Sequence, residues 1–503
     1  MPRQIAPGRS CLECRRRKIK CDRGHPCSYC VKVRINCKYP ASRHNEDRDR
    51  VAALESELQN VQKLLAEIDP SKRVERTEER ENIRLPSATR SSMLLRPQAP
   101  IDINQVKPSA PTIAILWEKY LDVVDPVLKM VHTPTVQKLV VEAMRDRELD
   151  LASQCLLFAV YYGAVAAMSQ SDCKDEFQEN RRVLLDRYRR GVEHLLSRLD
   201  LVNCTDLSVL QAFTIYLITG RCDHDGPDVF GLVGLAIGLA LKAGLNQDGE
   251  TLGLPPFAVE MRRRLWWQLL TLDIRVAEDR RSEPCILEAS FNTRFPSNIS
   301  DTDLHPQMSR LPLCGGSRTE MLFSLIRFEV SYFARQMVFS EEFGHANAYM
   351  SLTTQEKCHA LDLFQERIKK QYLCYCDENV PLDVVTSRST RLIFAKLRLA
   401  IEDTDHISAG QKAAHRRGWI RILTDAEDLR RYKDGKQLLW LFQTYTEWDA
   451  LYTLLLHLRD DPGAKSQEWE TAKRVYSYWK GHKGNQHDRR WERIELLRTQ
   501  LAG

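Results

Sequence analysis

Six cysteines fall between positions 11 and 37, at Cys11, Cys14, Cys21, Cys27, Cys30 and Cys37, and their spacing is C-x2-C-x6-C-x5-C-x2-C-x6-C. The array is two copies of one unit, C-x2-C-x6-C. Thiolates grouped in this way suit zinc, which takes four of them in a tetrahedron. Two separate tetrahedra need eight sulfurs. Six suffice when two are shared, because four terminal and two bridging ligands then give each metal its four. The two-fold pattern predicts the first cysteine of each unit, Cys11 and Cys27, as the bridges. One metal would take Cys11, Cys14, Cys21 and Cys27, and the other Cys27, Cys30, Cys37 and Cys11, for two zinc ions per chain. A disulfide framework and a metal-storage segment are the competing uses of such a cluster. The first ten residues hold no apolar leader, so a reducing interior is the expected setting, and this disfavours disulfides. Storage leaves the residues between the ligands unexplained.

Those intervening residues are basic. Arg15, Arg16, Arg17, Lys18 and Lys20 put five cations into the six positions between Cys14 and Cys21. On a short helix braced by metal they would repel one another unless an anion faced them. Double-stranded DNA supplies phosphates, and its major groove offers guanine O6 and N7 to Arg and Lys donors. All five are candidates for DNA contact. The matching stretch of the second unit, 31–36, is about half as basic and is expected to brace the first. His25, beside Pro26, is expected in a surface loop because the six cysteines already complete the site. The charge balance agrees: residues 1–45 hold 12 Lys or Arg against Glu13 and Asp22, net +10, whereas the other residues carry 62 bases and 66 acids, net −4. A basic head on a near-neutral body is the electrostatic footprint of a nucleic-acid binder.

Residues 11–37, with the basic run and Pro26-Cys27, resemble the DNA-binding domain of the fungal binuclear zinc-cluster transcription factors. The resemblance implies that Cys11 and Cys27 bridge, that Pro26 shapes the loop between the halves, and that Lys18 is the base-contacting position. Arg17 stands where the family often has Lys. The resemblance also implies recognition of CGG-like triplets.

Behind the head, a polar stretch (38–50) gives way to apolar residues at Val51, Leu54, Leu58, Val61, Leu65 and Ile68. Steps alternating three and four make the seam of a coiled coil. In a parallel pair Arg50 would face Glu55 of the second copy, so the charges permit a homodimer. The seam is only about two and a half heptads long, which is marginal for an isolated coil, and an amphipathic helix packed on its own body is the alternative. Asp69-Pro70 ends it. Six prolines and a mixed-charge run between 70 and 111 read as a mobile linker. The organisation is therefore a zinc-cluster domain (1–45), a coiled-coil segment (46–69), a linker (70–111) and a large helical domain (112–503).

The class is mainly α. Helical periodicity dominates from 112 onward, in stretches such as 152–168, 207–219, 229–243, 261–277 and 438–458, with a loop-rich section near 280–317. About a dozen helices are expected. Several strings resemble the fungal-specific middle homology region of the same transcription factors: Asp125-Pro126, His132-Thr133-Pro134-Thr135, the helix around 233–245, Arg264-Leu265-Trp266-Trp267 with Asp273, and Pro296, Asn298, Asp301 and Asp303-Leu304. This resemblance implies a regulatory domain, with a small molecule as its possible effector. Trp266 and Trp267 read as core residues. The nine cysteines outside the head read as free thiols. No G-x-S-x-G, H-E-x-x-H or phosphate-cradling glycine loop occurs, so an enzyme is not expected. The most apolar run, 229–241, is too short to cross a bilayer, so no membrane partner is expected. The reading is a nuclear, zinc-dependent, sequence-specific regulator of RNA polymerase II transcription whose partners are double-stranded DNA, a second copy and the transcription machinery. The alternative is a non-enzymatic protein that docks its basic head on RNA or chromatin without sequence choice.

Overall fold

The computed structural model describes residues 10–17, 19–39, 102–223, 229–280, 282–312, 318–338, 352–402, 409–442, 447–460, 467–481 and 489–502. Lys18 and the seam residues Val51 to Ile68 lie outside these. The chain divides into two compact units, 1–87 and 88–503.

The small unit is built around sulfur. Helix α1 (Leu12–Arg16) and helix α2 (Ser28–Lys32) each begin one residue after a predicted bridging cysteine. The two halves repeat at an offset of sixteen residues. Ile19 N–H donates to the Cys14 carbonyl at 3.0 Å as Ile35 N–H does to that of Cys30, and Arg17 N–H donates to Glu13 as Val33 N–H does to Tyr29. Cys11, Cys14, Cys27 and Cys30 are fully buried, with Ile19, Ile35, Tyr29 and Tyr39 packed around them. Among the described residues, too little apolar surface is present to hold such a segment folded, and cross-linking by metal must take the place of a core. The sequence places the basic run on a helix. The structure ends α1 at Arg16, so Lys20 lies beyond it. The reason is geometric: Cys21 has to return to the other sulfurs, so the chain turns away through the six-to-one Ile19–Cys14 bond.

The large unit is helical, with no strand among its described residues. Its first described helices are α3 (Ile103–Val106) and α4 (Ala110–Lys119), so the segment read as linker to 111 is already structured from 102. Ile103 and Val106 pack on the main core. A π-helical turn (Tyr120–Val124), α5 (Asp125–Leu128) and α6 (Thr133–Met144) follow. Helix α7 (Leu151–Ala167) is capped by Asp150, whose side chain accepts from Ser153 N–H at 2.9 Å. Every residue from Cys155 to Ala166 is buried, the signature of a helix enclosed on all sides. After the short α8 (Gln170–Phe177), α9 (Arg181–Arg198) and α10 (Leu207–Cys222) enclose it, and α11 (Phe230–Lys242) and α12 (Pro256–Arg280) extend the layer. The section expected to be loop-rich carries only two 3-10 turns among its described residues, Glu288–Ser290 and Asp301–Asp303.

Helices α13 (Leu322–Val338), α14 (Thr354–Gln371) and α15 (Pro381–Ile401) form a second apolar cluster, in which Phe333 stacks on Phe364 at 4.2 Å. The chain ends with α16 (Ala409–Arg431), α17 (Trp448–Asp460), α18 (Gln467–Lys480) and α19 (Arg489–Ala502). Among its described residues, the stretch 438–458, read as one periodic segment, holds part of a 3-10 piece (Lys436–Phe442) and of α17. Trp440 donates its indole N–H to the Val123 carbonyl at 3.1 Å, which ties the 3-10 piece to the π-helical turn.

Helix α9 approaches α7 at Gly191, where a Cβ would come within 2.3 Å of the Phe158 ring. Alanine at this position gains about 1 kcal/mol of helix propensity. Forcing the ring aside in a filled core costs about 1–3 kcal/mol. Gly191→Ala should therefore lower the urea midpoint, and adding Phe158→Leu should restore part of the loss. A Gly191→Ala protein more stable than wild type would show that the helices can separate at no cost.

Candidate metal centre and nucleic-acid interface

The structure brings Cys11, Cys14, Cys27 and Cys30 together, with all four sulfurs within 4.8 Å of one another. Cys11 Sγ is 3.7 Å from Cys27 Sγ and 3.6 Å from Cys30 Sγ, and Cys14 Sγ is 3.6 Å from Cys27 Sγ. A tetrahedron with Zn–S bonds of about 2.3 Å has S–S edges of roughly 3.8 Å, so these thiols stand at the separations that zinc requires. The neighbours also sort into two sets. Cys21 lies against Cys14 and Cys27, whereas Cys37 lies against Cys11, Cys27 and Cys30. Cys11 and Cys27 thus touch members of both sets, which is what shared sulfurs need.

Local hydrogen bonds prepare the sulfurs. Cys14 N–H donates to Cys11 Sγ at 3.4 Å and Cys27 N–H to Cys37 Sγ at 3.3 Å. Burial pushes all six thiols up. Backbone donors and neighbouring thiols nevertheless hold Cys11 and Cys27 below the ordinary thiol value. Burial and the crowding of those two sulfurs push Cys14 and Cys30 well above it. Six ionised sulfurs at this spacing call for cations among them, and two divalent ions offset four of the six charges.

Two supporting residues had no signal in the cysteine pattern. The Asp22 carboxylate accepts from Gly24 N–H at 3.3 Å and from Ser28 N–H at 3.1 Å, which pins the first residue of α2 to the end of the first unit. Tyr39 donates its hydroxyl to the Gly24 carbonyl at 2.9 Å and lies 3.5 Å from Cys21 Sγ. Both sit next to a candidate ligand or two residues beyond one, and only that proximity could have drawn attention to them. His25 is exposed, with its ring 4.6 Å from that of Tyr39.

Arg16, Arg17 and Lys20 are exposed beside this centre. The Glu13 carboxylate lies 2.9 Å from the Arg16 guanidinium and 3.8 Å from that of Arg17. The cations are therefore not without an anion, as their density in the sequence implied. An exposed pair of this kind contributes at most about 1 kcal/mol, so a nucleic-acid phosphate competes with Glu13 on good terms.

In the helical body, motif residues scattered over 180 positions converge. Lys129 is fully buried, with its ammonium 2.6 Å from Asp125, 3.1 Å from Asp301 and 2.7 Å from Glu320. Arg264, equally buried, lies 2.6 Å from Asp301 and 3.1 Å from Glu260. Asp301 also accepts from Thr133 N–H at 2.9 Å, and its own carbonyl lies 3.1 Å from His132 Nε2. Burial opposes the charge on Asp301, but Arg264 and Lys129 hold its carboxyl well below the ordinary carboxylate range. Asp273 accepts from Cys285 and Ile286 N–H at 2.9 and 2.8 Å, which fixes the chain leaving α12. Trp266 is fully buried and Trp267 stacks on Phe295 at 3.9 Å, both in the core. Sequence reading missed Lys129, Glu260 and Glu320. The i,i+4 spacings of Asp125 to Lys129 and of Glu260 to Arg264 were the available signal.

Comparison with known proteins agrees with this layout. Residues 9–46 match the fungal Zn(2)-Cys(6) binuclear cluster domain, and residues 117–329 match the fungal specific transcription factor domain. The chain is 28% identical over 517 residues to the aurofusarin cluster transcription factor aurR2 of Gibberella zeae, covering 94% of this chain and 76% of that protein. It is 28% identical to the pyriculol/pyriculariol biosynthesis cluster transcription factor 1 of Pyricularia oryzae, covering 76% of this chain and 53% of that one. It is also 28% identical to the transcriptional regulator AacuB of Aspergillus aculeatus, covering 60% of this chain and 42% of that one. The chain thus spans about half or less of the length of the latter two relatives. A head that binds two zinc ions, followed by this helical domain, places the chain in the family of fungal binuclear zinc-cluster transcription factors.

Proposed function

We propose that the protein is a sequence-specific, zinc-dependent regulator of RNA polymerase II transcription that acts in the nucleus as a homodimer on sites built from CGG-like triplets. The observation that carries this reading is the sulfur cluster with S–S edges of 3.6–3.7 Å and exposed arginines directly beside it. In it, Cys11 and Cys27 bridge, Cys14 and Cys21 complete one zinc site, and Cys30 and Cys37 complete the other. Modules of this kind place a short helix at the major groove, and the spacing of their dimers sets half-site separation. Dimerisation falls to the seam from Val51 to Ile68. Two of the relatives are named for biosynthetic gene clusters, so the target we propose is a cluster of that kind, and the helical body is where a small-molecule effector would act.

The test is a competition of CGG-containing duplex against scrambled duplex, with one triplet and with two. Preference for CGG, strengthened by a second triplet, is the expected result. Equal binding to scrambled duplex or to RNA favours docking without sequence choice. Two substitutions divide the roles of the cations. Lys18→Ala should cost about 1–3 kcal/mol on the preferred site and flatten the preference, because it removes a base contact. Lys20→Ala should weaken all duplexes alike and make binding less dependent on salt, because one counterion fewer is released. If Lys18→Ala lowers both affinities by the same factor, Lys18 is a phosphate contact.

A further inference from the structure

The buried charge network borders a half-open cavity of about 280 Å³ in the helical body. Its charged lining is Asp125, Glu320 and the pair Arg318–Asp383, and Leu121, Phe323 and Leu382 supply an apolar wall. Thr133, Thr319 and Thr386 also line it, so polar groups outnumber apolar ones, and the cavity suits a small molecule with a charged head beside its apolar part.

Three observations single out Asp125. Its residue is 5% exposed, and its Oδ2 is engaged by Lys129 at 2.6 Å, while Oδ1 is buried without a hydrogen-bond partner. The hydroxyl of Tyr120, which feels the same carboxylates, is likewise buried and unpartnered. An unmet polar atom inside a protein costs about 1–3 kcal/mol and is retained where something uses it. The backbone around it is also irregular. Tyr120 opens a π-helical turn, and Lys129 stands at φ 39°, a left-handed conformation that a lysine adopts at a cost. Finally, the charges do not balance. Among the described residues, the four carboxyl groups of Asp125, Glu260, Asp301 and Glu320 face the two cations Lys129 and Arg264, burial pushes the Asp125 carboxyl up, and Arg318 is already held by Asp383 at 2.7 Å.

We propose that this cavity is the effector site of the regulatory domain and that it takes a small organic ammonium ion with an apolar body. The ammonium donates to Asp125 Oδ1 and is shared with Glu320 at the rim, and the apolar part lies on Leu121, Phe323 and Leu382. The proposal rests on reading the body as a ligand-responsive regulatory domain.

Full-length, zinc-loaded protein is titrated with phenethylammonium, with 2-phenylethanol as its neutral counterpart and 3-phenylpropanoate as the anionic one, by calorimetry and by thermal shift. Phenethylammonium should bind about tenfold or more tightly than either, the worth of one charge-assisted hydrogen bond. Asp125→Asn keeps the side chain's shape and should lose about that factor. Glu320→Gln, at the partly exposed rim, is the second variant should Asp125→Asn fold poorly, and it should weaken the same ligand without affecting 2-phenylethanol. Equal binding of the three probes, or unchanged affinity in either folded variant, overturns the assignment and leaves water as the occupant. CGG preference is measured on the same preparation. Loss of ammonium binding with that preference intact removes this site alone, whereas absence of the preference removes the regulator reading.

Discussion

Replacing Cys27 by alanine should strip both zinc ions from the head, whereas replacing Cys14 should damage mainly one site. Cys27 Sγ lies 3.7 Å from Cys11 and 3.6 Å from Cys14, and Cys21 and Cys37 both lean on it. Cys14 has no comparable contact with Cys37. Structural zinc contributes on the order of 10 kcal/mol to modules of this size. Among the described residues the head's buried cluster is made of four cysteines, with only a few partly buried side chains around them, so the metal carries most of what holds α1 against α2. Metal analysis of anaerobically prepared protein should give two zincs per chain for wild type, close to none for Cys27→Ala, and an intermediate value for Cys14→Ala. CGG binding should be lost with the metal. A Cys27→Ala protein that keeps one zinc and an ordered head would mean that the sulfur is not shared.

The second large effect lies in the body. Asp301→Ala should destabilise the helical domain by about 3–5 kcal/mol, because removing one member of a buried ionic network leaves its partners charged and unpaired. Asp301 serves Arg264 with one oxygen and Lys129 and Thr133 N–H with the other. Glu142→Ala removes an exposed pair with Arg147 and should change stability by less than about 1 kcal/mol. Urea melts of the three proteins test the contrast, and equal midpoints would show that water reaches the network. The pH dependence has a definite sign. The Asp301 carboxyl is depressed in the folded state, so its stabilisation is complete above about pH 4 and drains away as the pH falls further. Wild type and Asp301→Ala should therefore converge in stability on acidification.

The head was legible because its chemistry is local. Ligand spacing, the two-fold repeat and the flanking cations lie within thirty residues, and a metal centre prescribes the types and number of its donors whatever the rest of the chain does. The helical class of the body was legible for a similar reason. Apolar stretches of helical length, such as those of α7 and α10, need no distant partner to be recognised. The extent of the basic helix was not legible, because its end is dictated by the return of Cys21 to the cluster. The Glu13 pairing was legible, since Arg16 and Arg17 follow Glu13 by three and four residues on one short helix.

By itself, the sequence determined the donor set, the charge asymmetry between head and body, and the succession of helices, all properties of residue type and spacing. Tertiary structure alone decided that Asp125, Lys129, Arg264, Asp301 and Glu320 meet at one buried point beside a cavity. Contacts between residues up to about two hundred positions apart follow from how α5, α12 and the 3-10 turn at Asp301–Asp303 pack, and packing is set by the fit of many side chains at once.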